Sequence, residues 1–225
     1  MDVRLSIVIP VLNEADGIVE ALTALTPLRA QGHEVIVVDA GEDGTAELAR
    51  SRADRVLRGP RGRAAQMNRG AAAARGDVLV FLHADTRLLA SADRLIADGL
   101  AVTGRAWGRF DVRLSGRQPS LRIVEASMNW RSRLTGIATG DQAIFVTRDR
   151  FRAVGGYPEM ALMEDVALSK ALKRLGPPLC LRGRVTTSSR RWERDGVIRT
   201  VLLMWSLRLR YFLGADPSDL ARRYD

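Results

Sequence analysis

Apolar residues gather early in the chain into short runs at residues 5–10, 34–38 and 78–82, and the runs lead into acidic or amide side chains: Asn13 and Glu14, Asp39, and Asp85. Runs of this length without strict alternation suit strands covered on both faces, as in a parallel sheet. Between them the spacing is helical. Residues 15–30 place Ile18, Ala21, Leu22, Leu25 and Leu28 on one face, with Asp16 near the positive end of the helix dipole. Residues 46–53 follow a Gly-rich turn at 41–45, a short strand is expected at 55–57, and the Ala-rich residues 64–75 read as another helix. Alternating strand and helix predicts an α/β fold with parallel strands and right-handed crossovers. Ligands of such sheets sit beyond the carboxyl ends of the strands.

The second half is patterned differently. Residues 107–114 alternate polar and apolar, which predicts a half-exposed strand added antiparallel to the sheet. Residues 120–134 suit a helix, 143–146 a short strand, and 164–175 an amphipathic helix through Val166, Leu168, Ala171, Leu172 and Leu175. Residues 197–213 carry Val201, Leu202, Met204, Trp205, Leu209 and Phe212 beside Arg199, Arg208 and Arg210, a basic amphipathic helix. That pattern fits docking on the core or on a second copy in a homodimer, and it also fits peripheral contact with an anionic membrane. No apolar run reaches the roughly 20 residues of a spanning helix.

At 225 residues and 46% hydrophobic content the chain suits one domain with its own core. The single Cys180 has no intramolecular disulfide partner, and no basic-then-apolar leader precedes the first strand, so a cytoplasmic setting is expected. A net charge of +9 asks for an anionic partner. The basic residues are almost all arginine, Lys170 and Lys173 being the only lysines, and they are scattered along a chain with 5% aromatics. Nucleic acid is therefore an unlikely main partner, since its footprint clusters on one face.

Candidate chemistry lies at the strand ends. Asp39 before the turn at 41–45 can hydrogen-bond a ribose or base, or cap the helix that follows. The loop at 59–63 and the helix start after it offer backbone N–H groups and guanidinium donors for a diphosphate, although Arg61 and Arg63 are equally readable as solvated charges. Asp85 suits a cation bridging two phosphates, whereas His83 reads as hydrogen-bonded structure. Glu164 and Asp165 open a helix, where they can serve its dipole or supply a general base. Ser188, Ser189, Arg190, Arg191 and Trp192 join guanidinium groups to an indole.

The order of these segments, from Ile9-Pro10-Val11-Leu12-Asn13-Glu14 through Val37-Val38-Asp39, Asp43-Gly44-Thr45, Gly62-Arg63 to Asn68-Arg69-Gly70, His83-Ala84-Asp85, Gly140-Asp141-Gln142 and Glu164-Asp165, resembles family 2 glycosyltransferases of the GT-A fold over about residues 4–195. The resemblance implies a Rossmann-like mixed sheet, mostly parallel and flanked by helices. Within one domain it implies a nucleotide-binding half (1–105), an acceptor-binding half (106–195) and a helical tail (196–225). It further implies that Pro10, Val11, Asn13, Glu14 and Asp39 form the nucleotide pocket, with Arg63 and Asn68 beside it and Ala84 and Asp85 at its edge. Asp85 would hold Mg2+ or Mn2+, and Asp165 with Glu164 would supply the base. Gly140, Asp141, Arg191 and Trp192 would lie on the acceptor side.

Such enzymes are typically inverting and take a nucleoside-diphosphate sugar, here a UDP-type donor, to a small-molecule or lipid-linked acceptor. The location implied is cytoplasmic, with room for a place on the inner face of a membrane. Two positions depart from the family pattern: His83 stands where many relatives carry Asp, and Ser188 stands where processive members carry Gln. The short length and the ending Arg191-Trp192-Glu193-Arg194-Asp195-Gly196 resemble a small bacterial subgroup labelled arsenosugar-biosynthesis-type glycosyltransferases. Trp107, Met128, Trp130, Tyr157 and Met163 suit an acceptor pocket or plain core, and residues 155–159 read as a flexible loop able to close over it. Two other readings compete. A sugar nucleotidyltransferase would need a Gly-rich phosphate loop that residues 10–14 lack, and a basic adaptor would make no use of carboxylates at buried strand ends.

Overall fold

The computed structural model describes residues 3–224. A single eight-stranded sheet runs through it in the order β3-β2-β1-β4-β7-β6-β8-β5. The strands are β1 (Leu5–Val11), β2 (Glu34–Asp39), β3 (Arg55–Arg58), β4 (Val78–Phe81), β5 (Thr86–Arg87), β6 (Trp107–Leu114), β7 (Phe145–Thr147) and β8 (Leu179–Thr187). The predicted parallel set is present: β1 pairs in parallel with β2 and β4, and β2 with β3. β7 runs antiparallel to β4 and β6, while β6 pairs in parallel with β8, so the sheet is mixed as the GT-A fold requires.

Side chains on β1 split by strand period. Leu5, Ile7 and Ile9 join Ile18 and Leu22 of α1 (Ala15–Thr23) on one face, and Val8 joins Met67 and Ala71 of α4 (Arg63–Ala73) on the other. The helix expected over 15–30 is broken after Thr23; α2 (Thr26–Ala30) restarts it with Pro27 in its first turn, where a missing N–H costs nothing. Next comes α3 (Thr45–Ala49), shorter than expected. A helix not anticipated from the pattern, α5 (Ala92–Thr103), buries Ala92 and Ile96 on the first face.

The expected half-exposed strand at 107–114 is a correction, because all of β6 except Arg113 is buried. Apart from Arg113, its polar positions face an ionic network beneath a helix instead of water. Arg109 pairs with Asp111 and donates to Asn129 O at 3.1 Å, while Arg133 reaches Asp111 at 2.7 Å. Asn129 and Arg133 come from α6 (Pro119–Thr135), which lies across this strand. The remaining helices are α7 (Arg148–Ala153), α8 (Glu164–Lys173), α9 (Arg190–Asp195), α10 (Val197–Phe212) and α11 (Pro217–Tyr224). α10 is docked by one edge only: Thr200 and Leu207 are buried, whereas Ile198, Leu202, Trp205, Leu209 and Phe212 are exposed.

Gly70 lets α4 lie close on the sheet, since a Cβ there would collide with Val8 Cγ1 and press Val38 Cγ2. Gly70→Ala should therefore destabilise by about 1–3 kcal/mol through overpacking, reversing the ~1 kcal/mol that alanine normally adds to a helix interior. Urea denaturation reads this directly, and an equal or higher midpoint would refute the close-approach argument.

Candidate functional site

Beyond the carboxyl ends of β1 and β2 the backbone is bent sharply. Asn13 holds a left-handed φ of 55°, its Oδ1 accepts from Glu42 N at 3.3 Å, and Glu14 N donates to Thr45 Oγ1 at 3.0 Å. Asp39 is buried, accepts from Gly41 N at 2.8 Å and pairs with Arg58 at 2.9 Å, so it fixes the turn and does not cap α3. Pro10 and Val11 lie buried in β1, and the Gln66 amide donates to Val11 O at 2.7 Å and Val38 O at 2.8 Å.

A cleft of about 1030 Å³ opens beside these loops. Of the residues singled out in the sequence, it gathers Glu14, Arg63, Asp85, Gly140, Asp141, Glu164, Asp165, Arg191 and Trp192, drawn from both halves of the chain. Pro10, Val11, Asn13, Asp39, Asn68 and Ala84 are outside its lining. Asn68 is committed elsewhere: its Nδ2 donates to Tyr157 O at 2.8 Å and its Oδ1 accepts from Tyr157 N at 2.9 Å. That clamp buries Tyr157 against Phe81 and Phe151, so the segment expected as a flexible loop at 155–159 is anchored at its middle residue while Gly155, Pro158 and Glu159 are exposed. Trp107 is likewise core, donating from its indole to Gly176 O, and Trp130 is exposed away from the cleft. Met128 and Met163 do line it.

Charges in the cleft are coupled. Arg63, at the start of α4, lies 3.4 Å from buried Glu164 at the start of α8. Burial, then the neighbouring Asp165, raises the Glu164 carboxyl above its ordinary range. Burial opposes the Arg63 charge, but Glu164 and the carboxylates near it outweigh that and raise the guanidinium. Asp165 accepts from Gly140 N at 3.0 Å and from Val166 N at 2.7 Å, leaving a lone pair on each oxygen. His83 lies 3.5 Å from Asp141; burial disfavours both charges, yet the pairing raises the imidazole and lowers the carboxyl. Gly140 packs flat against that imidazole, where a Cβ would collide with the ring.

Among the described residues three non-glycines hold left-handed φ: Asn13, Ala143 and Met163. Each adjoins a loop or turn feeding the cleft, consistent with strain being retained where it positions chemistry.

A divalent cation finds a partial set of ligands. Asp85 is exposed on the turn between β4 and β5, and Glu14 nearby is raised by burial and then by the Asp85 charge, a repulsion that a cation would relieve. No three His, Cys, Asp or Glu side chains among the described residues converge into a cage. The donors therefore fit a hard cation that takes most of its ligands from a bound diphosphate and water, and do not fit a resident all-protein metal site.

Two cleft residues were missed or misread in the sequence: Arg131 on α6 and Arg208 on α10. Neither has a carboxylate three or four positions away on its own helix, which is the one signal that could have marked them, whereas Arg122 pairs with Glu125 in the ordinary way.

The profile of glycosyl transferase family 2 matches residues 6–151. No curated protein matches the sequence. Among solved structures, residues 1–349 of TarS from S. aureus are similar at 16% identity and a TM-score of 0.66, with 83% of this chain and 60% of that one covered; the same portion is known in complex with UDP-GlcNAc. Mannosyl-3-phosphoglycerate synthase of Rubrobacter xylanophilus is similar at 19% identity and a TM-score of 0.60, covering 94% of this chain and 75% of that one. A mannosyltransferase of Pyrobaculum calidifontis, in complex with GDP-Man and Mn2+, is similar at 17% identity and a TM-score of 0.64, covering 100% of this chain and 69% of that one. The likeness establishes a GT-A-type fold, and the chain spans about 60% of the length of the TarS portion it matches.

The raised carboxyl of Glu164 has a calculable sign. Its folded state holds the proton more tightly, so the stability it contributes is present below the ordinary value of 4.5 and is lost as pH climbs above it. Glu164→Gln should match the native protein near pH 4 and melt at a higher temperature than it at neutral pH. Thermal melts across that range test it, and a variant less stable at neutral pH would show that the Arg63 pairing dominates.

Proposed function

Because the chain belongs to glycosyl transferase family 2, we propose that it is an inverting transferase that moves a sugar from a nucleoside-diphosphate donor, UDP-type, to an acceptor hydroxyl. The observation that carries this reading is the convergence of Arg63, Asp85, Glu164 and Asp165 on one cleft at the carboxyl side of the sheet. Asp165 takes the proton as the acceptor oxygen attacks the anomeric carbon, and the bond to the diphosphate oxygen breaks on the opposite face. Arg63 offsets charge growing on the departing diphosphate. Asp85 would hold Mg2+ or Mn2+, which would supply further charge neutralisation when bound. Glu164, held by Arg63, positions the α8 start. The UDP-GlcNAc complex of TarS and the GDP-Man and Mn2+ complex of the P. calidifontis enzyme support the donor class and the cation.

The family match speaks against the nucleotidyltransferase and adaptor readings. Division into a nucleotide-binding half and an acceptor half, and membership of the arsenosugar-biosynthesis-type subgroup, belong to the same proposal. So does a location on the inner, anionic face of a membrane. No helix among the described residues is long and apolar enough to cross one. What favours surface contact is the apolar stripe of α10, Ile198, Leu202, Trp205, Leu209 and Phe212, left exposed beside exposed Arg199 and Arg210. Trp205 also lines the cleft, which would bring a lipid-linked acceptor to its mouth.

Asp85→Ala should abolish the Mn2+-dependent part of nucleoside-diphosphate binding with folding still cooperative, while Asp165→Asn should keep that binding and slow turnover about 100-fold or more. Calorimetry with a nucleotide panel and a sugar-transfer assay separate the two roles; unchanged affinity in the first variant, or full turnover in the second, removes the assignment concerned. Vesicles containing phosphatidylserine should sediment with the protein at low salt and less well at high salt, and Trp205→Ala with Phe212→Ala should weaken the association further. Absence of co-sedimentation at low salt removes the membrane location.

A further inference from the structure

Two arginines on the acceptor flank of the cleft have no partner. Arg131 of α6 and Arg208 of α10 line both the main cleft and a smaller cavity of about 110 Å³ behind it, so the pair forms the wall between them. Among the described residues neither side chain makes an ion pair or hydrogen bond, and Arg131 Nη2 is buried with nothing to donate to. Arginines elsewhere at this end are engaged: Arg109 and Arg133 with Asp111, Arg122 with Glu125, and Arg191 with the carbonyl and ring of Tyr224. Burial, then the Arg208 charge, pushes the Arg131 guanidinium down to about 10, and burial lowers Arg208 as well. Two like charges held together and part-buried, with carboxylates acting only from a distance and none in contact, cost stability, and folds retain such costs where a ligand of opposite sign relieves them.

The position of the pair says which ligand. The carboxylates acting on it are Asp165 for both and Asp141 for Arg208, on the side of the cleft given to the base, and not Asp85 or Glu14. A donor diphosphate at Asp85 and Arg63 would leave this wall free. We infer that Arg131 and Arg208 form a phosphate subsite for the acceptor, so that the hydroxyl glycosylated belongs to a molecule bearing a phosphate group. Two guanidiniums from separate helices present fan-shaped N–H donors to a tetrahedral anion, which a single surface arginine would not do. The inference rests on the transferase reading but concerns only the acceptor.

The test uses the full chain saturated with UDP and Mg2+, titrated by calorimetry with inorganic phosphate and with glycerol 1-phosphate. One further phosphate equivalent should bind, and Arg131→Gln or Arg208→Gln should each weaken it by about tenfold or more while UDP affinity changes less than about twofold. Without phosphate each variant should melt at the same or a higher temperature than the native chain, because one of two repelling charges is gone; with phosphate the order should reverse. No further phosphate equivalent on the native chain, variants that bind it as the native chain does, or variants that melt lower without phosphate would overturn the subsite. Failure of UDP itself to bind would strike the donor reading instead, and the same phosphate titration on the free protein would still decide the subsite. Protection by soluble phosphate points to a soluble acceptor, and protection only by phosphatidic acid in phosphatidylcholine vesicles, lost in both variants, points to a lipid one.

Discussion

One ion pair spans the two halves of the chain. Arg63 starts α4 and Glu164 starts α8, and their 3.4 Å approach brings the amino ends of both helices to a single cleft. Helix amino ends carry partial positive charge and unused N–H groups, so a site between two of them is biased toward anions before any further side chain is counted. Asp165 shares that cleft with its oxygens accepting from the Gly140 and Val166 amides. The donor and acceptor readings both depend on this arrangement: strip the pair, and a buried carboxylate faces the cleft without compensation.

Much of the architecture was legible because apolar strand runs and helical spacing are local signals. β1, β2, β4, α4 and α8 lie close to where their patterns put them. Two misjudgements have a shared cause. The polar alternation of β6 was read as exposure, yet Arg109 and Asp111 neutralise each other beneath α6, and a pattern of polar letters does not distinguish water from a buried partner. Asn68 was read beside the nucleotide, but its amide completes hydrogen bonds for a backbone segment far along the sequence, which only the folded chain brings near. β5 and β8 escaped because their sequences mix polar and apolar letters without a clean period, whereas α5 carries Ala92, Leu95, Ile96 and Leu100 at helical spacing and was legible.

The site itself was legible by residue type more than by contact. Of the carboxylates that announced themselves at strand ends and at the α8 start, Glu14, Asp85, Glu164 and Asp165 line the cleft together, whereas Asp39 is spent on its own turn and on Arg58. His83 was set aside as structural, and its imidazole is indeed paired with Asp141 while still forming part of the wall. Arg131 and Arg208 were invisible as a pair, since nothing in the sequence relates positions on α6 and α10 until the fold brings both helices to the same cleft.

The continuous sheet carries a consequence for how specificity can change. β7 joins the parallel strands of the first half to β6 and β8 of the second through ladder hydrogen bonds, so a hinge between halves would have to break backbone pairing. The two sides of the cleft are thereby set by one framework. Variation is cheap only in what is attached outside it, and α6 and α10 are those attachments: each contributes one cleft arginine while keeping a largely exposed outer surface. On the acceptor subsite inferred above, a descendant of this protein would acquire a different acceptor by exchanging side chains on these two helices, with the framework beneath them inherited intact.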